Sequence, residues 1–105
     1  MTEKTIEWNL GFAPDEVLVG LEKLFTEVGY AYLRAETDSE VRFQVTLAQG
    51  ALELAVRPLL SQRSPFSPQI ILHRTLLVMT FTGASAREEK TFLHHLTLTF
   101  LRVGG

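Results

Sequence analysis

The chain is predicted to fold as an α+β domain, an antiparallel sheet of about five strands with two helices packed on one face. Two observations carry this expectation. Apolar residues alternate with period two in several short runs, and two longer segments, one near each end, switch to helical spacing. The order read along the chain is β-α-β-β-β-β-α, in which both helices are free to cover the same side of the sheet.

Residues 5 to 12 place Ile6, Trp8, Leu10 and Phe12 on one face and Thr5, Glu7 and Asn9 on the other, the pattern of a half-buried strand. Pro14 stands where a first helical residue belongs, and Asp15 and Glu16 follow in the turn where carboxylates suit the helix dipole. Val17, Leu21, Leu24 and Val28 recur at helical spacing with Leu18 and Phe25 beside them. Gly29 is placed to end this helix, over 14 to 28, in a left-handed cap.

From Tyr30 the period returns to two, with Ala31, Leu33 and Ala35 as an apolar row and Tyr30, Tyr32, Arg34 and Glu36 as the opposite, polar row. After the turn Thr37-Asp38-Ser39-Glu40, Val41, Phe43, Val45 and Leu47 alternate with Arg42, Gln44 and Thr46. Beyond Gln49-Gly50, Leu52, Leu54 and Val56 alternate with Glu53, Ala55 and Arg57. The serines and prolines of 61 to 68 mark a loop, and 69 to 82 reads as one long strand, apolar on both parities. Ser85 and Glu88 fit a capping box ahead of Phe92, Leu93, Leu96, Phe100 and Val103, which predicts a helix over 86 to 103. The element order resembles that of the halves of TATA-binding-protein-like folds and of helix-grip-like two-layer sandwiches, a likeness at the level of fold alone.

With 105 residues, one domain spanning 1 to 105 and one core are expected. A net charge of −2 gives no overall attraction to nucleic acid. The chain has no cysteine, which removes disulfides and thiolate metal sites, and Met1-Thr-Glu-Lys-Thr has no charged-then-apolar leader. A cytoplasmic location without membrane insertion is the expectation. No catalytic triad, phosphate loop or cofactor fingerprint can be read, so no cofactor and no catalysis are expected.

Three arginines carry the one hint of a ligand. If Gln49-Gly50 is a two-residue hairpin turn, Leu47 pairs with Leu52, Thr46 with Glu53, Gln44 with Ala55 and Arg42 with Arg57. Keeping polar residues together across the preceding turn, with Glu36 paired to Glu40 or to Arg42, then brings Arg34 beside or diagonal to Arg42. Such a strip suits bidentate recognition of a carboxylate or phosphate, with Tyr30, Tyr32 or His73 shaping the site. The alternative is a solvated face on which Glu7, Glu36 and Glu53 interleave with the arginines.

A second set of residues suggests assembly. Leu98 and Leu101 project away from the Leu96-Phe100 stripe next to His94, and the isolated aromatic Phe66 lies in the loop. Ile71, Leu77, Met79 and Phe81 oppose Ile70, Leu72, Leu76 and Val78 on the long strand, leaving apolar surface that two helices on one face do not cover. The economical explanation is a homodimer. His94 and His95 point about 100° apart on a helix and do not make a metal pair. Gly104-Gly105 resembles the tail of ubiquitin-like proteins and sulfur carriers, but here it follows a helix, and Gly104 is read as the helix cap. Ser64-Pro65 and Ser67-Pro68 are read as marks of an exposed loop.

The functional expectation is a small non-catalytic interaction module that self-associates and takes a protein partner. The alternative is an anionic small-molecule binding protein or small enzyme using Arg34, Arg42 and Arg57. Nucleic-acid binding through the same face ranks third.

Overall fold

The computed structural model describes residues 3–59, 62–63, 71–72 and 74–104, with side chains at 3–59 and 74–100. Its elements are β1 (Glu3–Leu10), α1 (Pro14–Val28), β2 (Ala31–Glu36), β3 (Val41–Thr46), β4 (Ala51–Pro58), β5 (Gln62–Arg63), β6 (Ile71–Leu72), β7 (Thr75–Thr82) and α2 (Ala86–Gly104). The main sheet has five antiparallel strands in the order β1-β7-β4-β3-β2, and β5 and β6 form a separate short ladder. The predicted long strand over 69 to 82 is therefore divided into β6 and β7.

Both helices cover one face of the sheet. Val17, Leu21, Leu24 and Phe25 of α1 and Phe92, Leu96 and Phe100 of α2 pack with Phe43, Val45, Leu52, Leu54, Val56, Leu77, Met79 and Phe81 of the strands. α1 starts at Pro14, with Asp15 and Glu16 in its first turn, and ends where Gly29 takes φ 93° and its N–H bonds back to the Phe25 carbonyl. Val28, expected in the apolar stripe, is 42% exposed. At the start of α2 the Ser85 hydroxyl accepts the Glu88 N–H at 3.1 Å, as the capping box predicts. The stop expected at Gly104 is not observed there, since α2 includes that residue.

Two registers differ from the expected ones, each for a definable reason. A two-residue type I′ turn needs positive φ at both central positions, and Gln49 does not adopt it. The chain instead makes a longer connection in which the Leu47 N–H bonds to the Gly50 carbonyl at 3.2 Å and the Leu47 side chain is buried. Gly50 has φ 84°, and a Cβ there would lie 2.5 Å from backbone atoms of Thr82, Gly83 and Ala84. No other residue type fits. The β3–β4 ladder thus pairs Val45 with Leu52, Gln44 with Glu53 and Arg42 with Ala55, two residues from the expected register and with the same faces.

The second difference changes a face. β2 pairs Tyr32 with Val45 and Arg34 with Phe43, so its polar row looks toward the helices, while Ala31, Leu33 and Ala35 lie on the open side of the sheet. Aromatic packing explains the inversion. The Tyr32 ring lies 4.8 Å from Phe25 and 5.8 Å from Phe43, and Tyr30 lies 5.7 Å from Phe92. Burying most of two tyrosine rings removes far more apolar area from water than burying one leucine and two alanines. Leu33 is left 71% exposed.

This orientation predicts opposite sensitivities at adjacent positions. Tyr32→Ala is expected to cost about 2–3 kcal/mol and Leu33→Ala less than about 0.5 kcal/mol in urea unfolding. Equal losses, or the reverse order, would contradict the inverted face.

Candidate functional site

Arg42 and Arg57 both lie on the open face, but they are not directly opposite. Extending the β3–β4 ladder by one residue sets Glu40, not Arg42, across from Arg57. Glu40 then bridges the two: Oε1 accepts the Arg57 Nε–H at 2.8 Å and Oε2 accepts the Arg42 Nε–H. The other end of Arg42 donates from NH1 to Glu53 at 3.1 Å. The repulsion that direct opposition would create is removed by register and by an internal carboxylate.

From the sequence, Glu40 is merely a turn residue. Its position at the entrance to β3 and its alternation with Arg42 are the signals that point to it in retrospect. The hydrogen bonds from Arg42 and then Arg57 hold its carboxyl below the ordinary glutamate range, and Glu40 in turn raises Arg42.

Arg34 does not join this cluster. On the helix face it donates to Glu36 at 2.7 Å and to Glu22 of α1 at 3.3 Å, and its guanidinium carbon lies 5.9 Å from the Phe43 ring centre. It covers the outer end of the aromatic cluster. Tyr30 and Tyr32 are on the same side as Arg34, within that cluster, and burial together with the nearby Glu88 carboxylate raises the Tyr30 phenol above its ordinary value. The expected strip of three arginines flanked by tyrosines is therefore divided between the two faces of the sheet. His73 and Phe66 lie outside the described residues, as do the side chain of Leu101 and the Ser-Pro pairs.

The open face also has a concave region of about 380 Å³ toward the Thr46–Ala51 end of the sheet, bordered by Leu33, Gln44, Thr46, Ala51, Thr82 and the Glu53 that accepts from Arg42. It contains no basic side chain. Outward-facing Leu76 and Val78 on β7 are half-buried by their neighbours across the sheet.

The helix layer presents a different surface. Gly20 lets α2 approach α1 closely, because a Cβ there would stand 3.0 Å from the Phe100 ring. Beside this contact a groove of about 390 Å³ is bordered by Phe12, Asp15, Glu16, Val19, Lys23, Thr99 and Phe100. A smaller hollow of about 200 Å³ continues past Gly20 to Leu24, Glu27 and Leu98. Val19 is 68% and Leu98 53% exposed, so each stands at the solvent side of this surface. Leu98 stands out in the sequence, whereas Val19 does not, because its excess over the buried stripe is one residue in a helix already rich in apolar side chains. His94 is exposed, and its ring centre is 6.1 Å from that of His95.

Comparison with protein-family models and with the sequences of curated proteins gives no match. Among the described residues, no helix is long and apolar enough to cross a membrane.

The Glu40 bridge predicts a pH effect with a definite sign. Because the folded-state pKa is depressed, the stabilisation is complete above the unfolded carboxyl value of about 4.3 and is lost as pH falls through the lower folded value. Glu40→Gln should flatten that acid limb in thermal melts between neutral and strongly acidic pH. An unchanged slope would remove Glu40 as the origin. In a sulfate titration near neutral pH, the wild-type melting temperature should stay nearly constant while Glu40→Ala gains stability, since its two guanidiniums have lost their shared counter-ion. Equal responses would show that Glu40 does not occupy the anion position.

Proposed function

We propose that this chain is a non-catalytic interaction module that self-associates through its helix layer. The observation that carries this reading is the exposure of Val19 and Leu98 beside a groove between α1 and α2 floored by apolar side chains. Exposed leucines and valines occur singly on many proteins, but two of them flanking a hollow have somewhere for a partner's side chain to go. The outward residues of β7, the other assembly candidate from the sequence, are better shielded, and exposed Leu33 on the open face stands among alanines and polar residues rather than beside a second large exposed apolar side chain, which favours the helices over the sheet as the contact surface.

The open face supports anion recognition less well. Its two arginines already share Glu40, and Arg42 also engages Glu53, so an incoming carboxylate or phosphate has to displace an internal one. A cytoplasmic setting and a further protein partner belong to the same proposal.

Light scattering on the purified chain tests the reading. Twice the 11.8 kDa chain mass is expected for the wild type at tens of micromolar, and Leu98→Glu should halve it while leaving the circular dichroism spectrum unchanged. A wild-type monomer at several hundred micromolar would overturn the proposal.

A further inference from the structure

We infer that the self-association proposed above, on which this geometry rests, brings a second copy antiparallel along α1, with the two-fold axis passing midway between Val19 and Gly20. The exposed ridge of α1 is formed by Glu16, Val19 and Lys23, three and four residues apart and so on one face of the helix, with half-buried Gly20 beside Val19. An antiparallel two-fold centred there exchanges position 16 with 23 and position 19 with 20. Glu16 of each copy meets Lys23 of the other, giving two equivalent ion pairs around a central contact of Val19 on the glycine. The face is complementary to itself, as an isologous interface requires.

Lys23 is available for this contact. Among the described residues its only ion pair is with Glu27, at a loose 3.9 Å, with the two side chains 60% and 65% exposed. The second feature of the ridge is its pairing of a projection with a hollow. Leu98 stands beside Lys23 and Glu27, next to the C-terminal half of α1. The antiparallel arrangement lays that half over the N-terminal half of the other copy, where Phe12, Val19 and Phe100 border the groove of about 390 Å³. Leu98 of each copy is thereby directed toward the groove of the other. Charge, projection and hollow obey the same two-fold, and none of them needs a residue from the sheet.

Charge exchange tests this arrangement without relying on a loss of signal alone. In a dimer of Glu16→Lys, two lysines face each other at both contacts, and in a dimer of Lys23→Glu two glutamates do. Each variant alone should therefore dimerise on the order of tenfold more weakly than wild type, two pairs per dimer having turned from attraction to repulsion. Mixed in equal amounts, the two variants form a heterodimer in which a lysine faces a glutamate at both contacts, so mixing should recover near wild-type affinity, and a mixture that associates no better than either variant alone overturns the pairing. The double variant Glu16→Lys/Lys23→Glu restores an opposite-charge pair at both contacts and should dimerise with near wild-type affinity, measured by sedimentation equilibrium. The differences should shrink at high salt. A double variant that associates no better than either single one overturns the antiparallel α1 pairing. If the wild type is dimeric, Leu98→Glu disrupts it and both charge variants leave its affinity unchanged, the α1 geometry fails while the helix-layer reading stands. A wild-type monomer defeats both.

Discussion

The arrangement of this protein depends on the aromatic contact around Phe25. That ring is fully buried and lies within 4.8 to 6.5 Å of Tyr32, Phe43 and Tyr30, so one α1 side chain ties the helix to two strands and, through Tyr30 and Phe92, to α2. Tilted and edge-to-face rings add directional attraction to the area they bury. A sheet edge that would otherwise be weakly specified is held by this cluster, and its consequences reach well beyond the core.

The first consequence is the orientation of β2. Once Tyr32 is required on the helix face, strict alternation carries Arg34 and Glu36 to that face and Leu33 to the other. Arg34 then finds Glu22 and Glu36 as counter-charges and the Phe43 ring beneath its guanidinium. The remaining two arginines are left to Glu40, which stands across from Arg57 only because the β3–β4 connection is long enough to bury Leu47. Electrostatics on the open face is therefore set by packing elsewhere. On that surface Arg42 and Arg57 are matched by Glu40 and Glu53 of the same chain.

The helix layer follows the opposite logic. Gly20 permits a close contact with Phe100 and Thr99, which brings the two helices together at one point and leaves a groove beside it. Val19 and Leu98 lie outside the core because the buried stripes of α1 and α2 already fill the space over the sheet. The apolar side chains that the core has no room for therefore lie beside the exposed charges of Glu16 and Lys23 on the α1 ridge.

The two helices, the strands of the five-stranded sheet and their order were legible in the residues themselves, since period-two and helical spacings, Pro14, Gly29 and the Ser85 cap act over a few residues, whereas the short β5–β6 ladder was not, β5 falling within the stretch read as a loop. The exposure of Leu98 was legible for the same reason. The arginine cluster was not: a slip of two residues leaves every side chain on its original face, so alternation cannot distinguish the observed β3–β4 register from the one that opposes Arg42 to Arg57. Nor does the sequence of β2 state which of its rows is buried, because both carry apolar area and the choice is made by Phe25 and Phe43 arriving from other elements. Local sequence by itself determined where the chain is helical or extended. Tertiary structure alone decided which charges meet, because that depends on competition among distant side chains for the same buried space.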